Sequence, residues 1–125
     1  AGDTLFYLGC GRVFEGSMEQ MWSSLLKLRN LPDETLVYCG HEYTSSNAKF
    51  ATFIDPNNKL LKIANKKIKE TRDKNLPTVP FELGKEKYIN PFLRADNNYF
   101  TSSIGLASSI ASECFSYIRK QKDSF

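Results

Sequence analysis

The chain has 125 residues, 41% of them hydrophobic and 25% charged, with a formal charge of +3 at neutral pH; this is the balance of an ordinary globular protein with room for one modest core. No stretch approaches the roughly 20 apolar residues of a membrane span, and +3 is too small a charge to demand nucleic acid, so neither is expected as a partner. The start, Ala1-Gly2-Asp3, lacks the basic and apolar regions of a signal peptide and reads as a cut in a longer chain.

In chain order, residues 4–8 are short, apolar and aromatic and run into Gly9-Cys10-Gly11, which predicts a strand entering a tight glycine loop. Ser17 and Gln20 form a capping-box pattern. Met18, Met21, Trp22, Leu25 and Leu26 then recur at helical spacing until Asn30 and Pro32, a face expected to pack on a sheet. Residues 35–39 read as a second strand and residues 45–54 as a second helix, ended by Asp55-Pro56.

Beyond Pro56 the character changes. Leu61, Ala64 and Ile68 mark a long helix, and Lys66, Lys67, Lys69, Arg72 and Lys74 crowd its later part. A solvated face explains that cluster more simply than a polyanion site. Pro77, Pro80 and Pro91 punctuate an extended connection with no further strand, and Ala107, Ile110, Ala111, Cys114, Phe115 and Ile118 line one face of a terminal helix. The expected division is a mixed segment, 1–56, and a helical segment, 57–125.

Three groups invite a chemical reading. Gly9-x-Gly11 starts like a dinucleotide fingerprint, but Phe14 stands where the third glycine would fall. Cys10, Cys39 and Cys114 are an odd, widely spaced set without a C-x-x-C pair, which favours reduced structural thiols in a cytoplasmic protein over a framework of disulfides. Activation of one of them by His41, the only histidine, is the less economical alternative. Asp3 before the first strand and His41 after the second are imidazole and carboxylate at strand ends, where metal sites are built. Catalytic zinc needs about three protein ligands and an open position, so these two alone make half a site, and a hydrogen-bonded structural histidine remains the competing account.

Six runs, GDTLF (2–6), GCGRVFEG (9–16), LVYCGHEYT (36–44), PTVP (77–80), NPFLR (90–94) and RKQKDSF (119–125), stand in the same order and at compatible spacing as in the carboxyl-terminal half of glyoxalase II. The chain thus resembles the hydroxyacylglutathione hydrolases of the metallo-β-lactamase fold over nearly its whole length. The resemblance implies an α/β (α+β) fold class: the later half of an αββα sandwich followed by a small α-helical, glutathione-binding domain. It also implies two divalent metal ions, zinc first and iron or manganese as alternatives, with Asp3 bridging them and His41 on the second. The other five ligands belong to a T-H-x-H-x-D-H run and a later histidine upstream of GDTLF; the metal-bound hydroxide that would attack the substrate is therefore incomplete here.

The same resemblance assigns the substrate contacts to Arg12, Phe14, Tyr43, Arg119 and Lys122. Arg12 stands where lysine is common, and Phe14 where tyrosine is often found, with the loss of one hydroxyl hydrogen bond. Cations suit glutathione, which carries carboxylates at both ends. The implied reaction is hydrolysis of S-2-hydroxyacylglutathione, such as S-D-lactoylglutathione, to glutathione and a 2-hydroxy acid. The partners are the glutathione thioester and the amino-terminal half of the same protein, without which the chain is expected to be inactive. The alternatives are a non-catalytic glutathione or polyanion binding module, or another thioesterase or sulfur dioxygenase of the same fold.

Overall fold

The computed structural model describes residues 4–11, 17–39 and 43–125. It is a mixed structure of helices and two small antiparallel sheets. β1 (Leu5–Phe6) and β2 (Gly9–Cys10) form a hairpin with Leu5 opposite Cys10 and Phe6 opposite Gly9. The expected single strand over 4–8 is corrected here: Tyr7 and Leu8 turn the chain, with Leu8 in the left-handed region at φ 61°, a conformation that costs a leucine about 1–2 kcal/mol. Nothing in an apolar run announces that turn.

α1 (Met18–Arg29) starts as the sequence requires, with the Ser17 hydroxyl accepting from the Gln20 amide and the Gln20 side chain accepting from the Ser17 amide. Its buried face, Trp22 and Leu25, packs mainly on the last helix and on the 3₁₀ turn at Pro91–Leu93, and shares its core cluster with the strand residues Leu5, Cys10, Val37 and Phe81. β3 (Leu36–Val37) does pair, but with β4 (Phe81–Glu82) from the second half. The expectation that no strand follows Pro56 is therefore wrong. Phe81 is one buried residue beside an exposed glutamate, too short for an alternating pattern to register.

α2 (Thr44–Ile54) and α3 (Lys59–Asp73) pack together, α3 opening on the Asn58 side chain, which accepts from the Leu61 amide. α3 buries only Leu61 and Ile68; its lysines are exposed or nearly so, as the solvated-face reading holds. The region read as an extended connection contains α4 (Leu83–Ile89), the 3₁₀ turn and α5 (Asn98–Ser103), each under eight residues. Helices this short show no full period and form only under tertiary packing. α6 (Ala111–Asp123) closes the chain, its first turn one to four residues later than the apolar pattern suggested.

One apolar cluster joins Leu5 and Cys10 of the hairpin, Trp22, Phe50, Phe92 and Phe115, so the core draws on residues on both sides of Pro56. Phe92 stacks on Phe50 at 5.9 Å and meets Phe115 edge-on at 6.2 Å. Among the described residues no helix is long and apolar enough to cross a membrane.

Candidate functional site around the hairpin

The structure gathers the described members of the sequence-derived site around β1 and β2. Tyr43, half-exposed at the start of α2, sets its ring edge-on to Phe6 at 5.2 Å. Arg119 comes from α6 and is only 3% exposed. Its Nη1 donates to the carbonyls of Cys10 (2.7 Å) and Gly11 (3.3 Å), its Nε donates to Asp123 (3.1 Å), and the guanidinium lies 5.2 Å above the Phe92 ring. A buried guanidinium needs such partners. Lys122, one turn further on and half-buried, is close enough to Cys10 for its charge to act on that thiol. Asp3, Arg12, Phe14 and His41 lie outside the described residues.

Cys10 and Cys114 are not poised for nucleophilic chemistry. Burial pushes Cys10 up to about 12 despite the opposing Arg119 charge, and burial also raises Cys114. Both remain neutral at physiological pH, as the structural alternative requires. Among the described residues no group of three histidines, cysteines or carboxylates could hold a metal ion, so no metal geometry can be built from them.

Sequence reasoning missed three polar residues that touch the same hairpin. The Leu8 amide donates to Oε2 of Glu86 at 2.7 Å, and Asn90 Nδ2 reaches the carbonyls of Phe6 (3.3 Å) and Gly9 (3.1 Å) as well as Glu86 Oε2 (2.9 Å). Asn47 from α2 donates to the Tyr7 carbonyl at 3.2 Å. Glu86 is 1% exposed, and burial raises its carboxyl to about 8, against the pull of the Leu8 and Asn90 donors. It is thus mostly protonated at neutral pH. A signal existed: Leu83, Glu86, Ile89 and Asn90 share one face of a short helix, and polar side chains in line with a leucine and an isoleucine mark buried polar positions.

Tyr43 from α2 and the cations Arg119 and Lys122 from α6 thus come from two distant points of an α+β chain to the neighbourhood of one hairpin. Residues 42–125 match the family described as hydroxyacylglutathione hydrolase C-terminus. The chain is 54% identical to a hydroxyacylglutathione hydrolase of Bartonella henselae over all its 125 residues, 50% identical to one of Rhodopseudomonas palustris over 98% of its length, and 48% identical to one of Maricaulis maris over 99%. It belongs to the hydroxyacylglutathione hydrolase family. The chain spans about half the length of these curated relatives, 48–49%.

Proposed function

We propose that this chain is the carboxyl-terminal half of an enzyme that hydrolyses S-2-hydroxyacylglutathione, S-D-lactoylglutathione being the test substrate, and so serves in methylglyoxal detoxification in the cytoplasm. The observation that carries the proposal is the identity of about half of all residues, along the whole chain, with relatives named hydroxyacylglutathione hydrolase. Residues 1–56 are proposed to complete an αββα sandwich with the amino-terminal half, and residues 57–125 to form the helical glutathione-binding unit.

In this reading Asp3 and His41 are ligands of two divalent ions, zinc for preference. Such a pair, when bound, lowers the pKa of water and polarises a carbonyl. The chain's own residues bind and orient the substrate. Arg12, Phe14, Lys122 and the Tyr43 hydroxyl are assigned to the glutathione moiety. Arg119 supports that subsite from beneath, since its guanidinium is already engaged by Cys10 and Gly11. Water adds to the thioester carbonyl, the C–S bond breaks and glutathione leaves as a thiolate, stable enough near neutrality to need no strong general acid.

The test is thioester hydrolysis by the full-length protein, followed by thiol release from S-D-lactoylglutathione before and after chelation and zinc return. Activity that falls on chelation and returns with zinc is expected. A metal-replete full-length protein without turnover on any 2-hydroxyacyl glutathione thioester would sink the assignment.

A further inference from the structure

Six consecutive residues, Phe6 to Gly11, have backbone groups met by four buried side chains from three separate parts of the fold: α2, α4 with its C-cap, and α6. Asn47 of α2 holds the Tyr7 carbonyl, Glu86 of α4 the Leu8 amide, Asn90 the Phe6 and Gly9 carbonyls, and Arg119 of α6 the Cys10 and Gly11 carbonyls. Buried polar residues are few in the described part of this chain, and these four are among only six: Thr44, Asn47, Glu86, Asn90, Thr101 and Arg119.

That concentration asks for a reason. A two-residue pairing could be anchored by apolar contacts alone, and Leu5, Leu8 and Cys10 already supply them. Buried polar groups are costly unless fully partnered, and an apolar replacement of both partners is often no less stable. What hydrogen bonds add is direction. They hold Leu8 at its left-handed φ of 61°, against its own preference, and they leave no room for slippage: a Cβ on Gly9 would stand 2.6 Å from the Asn47 side chain. At the open end of the hairpin the Gly11 amide donates to the Thr4 carbonyl at 3.1 Å. Thr4 and Gly11 are the immediate sequence neighbours of Asp3 and Arg12.

We propose that Asn47, Glu86 and Asn90 are positioning residues for the active site: by fixing the Tyr7–Leu8 turn they set where Thr4 and Gly11 stand, and so where Asp3 and Arg12 begin. Glu86 and Asn90 of the helical segment, with Asn47 of the first segment, then add a role beyond the glutathione contacts proposed above. They align one metal ligand and one substrate cation through a single rigid hairpin. This rests on the roles given to Asp3 and Arg12 under the proposed function. Glu86 serves as an acceptor, its Oε2 taking both the Leu8 and Asn90 donors while Oε1 has no partner, so the neutral amide of glutamine can replace it.

The experiment compares Glu86→Gln, Glu86→Leu and Asn90→Asp in the full-length protein, with Asn47→Ala as a milder change should the leucine or aspartate variant fail to fold. Zinc retained after dialysis and KM for S-D-lactoylglutathione are measured well below each variant's unfolding temperature, and exchange of the Leu8 amide is followed by NMR. Glu86→Leu and Asn90→Asp are expected to lose about tenfold or more in metal retention or kcat/KM with faster Leu8 exchange, Asn47→Ala less, and Glu86→Gln to stay near wild type. Fast Leu8 exchange with unchanged KM and zinc content would reduce the cradle to a purely structural role and overturn the proposal, as would unchanged Leu8 exchange in Glu86→Leu. A wild-type protein that neither holds metal nor hydrolyses the thioester overturns the functional reading instead, a result separable from the Leu8 measurement.

Discussion

Replacing Glu86 by glutamine should change how stability depends on pH more than it changes stability at pH 5. In the folded chain burial raises the Glu86 carboxyl from its ordinary 4.5 to about 8, so between those values the folded state holds a proton that the unfolded state has released. The sign follows: with more protons bound in the folded state, stability falls as pH rises through that window, is complete below about 4.5 and levels off above about 8. A rise from 4.5 to about 8, converted at about 1.4 kcal/mol per pH unit, corresponds to a loss on the order of 5 kcal/mol across the window, an upper bound because relaxation and water entry lower it. Tyr7, itself raised to about 12 by burial and by the Glu86 charge, is neutral throughout. Asp33, Lys67, Glu82 and Lys85 line the same groove of about 570 Å3 beside Glu86, and they are present in both proteins, so the difference between wild type and variant isolates Glu86. Urea unfolding of the 125-residue chain at intervals from pH 5 to 8.5 provides the measurement. The two proteins should lie within about 1 kcal/mol of each other at pH 5, since glutamine still accepts from Leu8, and the variant should be the more stable by several kcal/mol at pH 8.5. Parallel curves would refute the claim that this carboxyl is held neutral.

Gly9→Ala, which drives a methyl group into Asn47 at 2.6 Å, should destabilise the chain by about 1–3 kcal/mol, with Asn47→Ala relieving part of that loss in the double variant; equal, additive losses would count against the contact. Asp96→Asn breaks a two-pronged pair with Arg29 (2.6 and 2.8 Å) that lowers the Asp96 carboxyl. Because Asp96 is 41% exposed, the cost should be no more than about 1 kcal/mol; it should be present at neutral pH and shrink as pH falls below the ordinary aspartate range and through the lowered Asp96 titration, as urea unfolding at a series of pH values from neutral downward would reveal. In the full-length enzyme Lys122→Ala should raise KM for the glutathione thioester severalfold with little change in kcat, and less so at high salt; a fall in kcat at constant KM would move Lys122 from binding to chemistry.

The sequence by itself determined the elements whose cause is local. Ser17 and Gln20 announce the start of α1 because a capping box is made of neighbours, and the spacing of Leu61 and Ile68 announces α3 because one helix face is legible without knowing what covers it. The six ordered motifs sufficed for the family. Other decisions belonged to the tertiary structure alone. Leu8 adopts a left-handed turn inside an apolar run because Glu86, 78 residues away, takes its amide, and Val37 finds its strand partner in Phe81, which no periodicity in either segment could indicate. Arg119 stands in a basic tail and is expected from the resemblance to meet substrate, yet it is buried beneath the hairpin because the carbonyls of Cys10 and Gly11, more than 100 positions earlier, replace the water it gives up. Local pattern records which residues can be buried or capped; which backbone groups they meet is settled only when distant parts of the chain come within hydrogen-bond reach, and that distance is what a sequence does not carry.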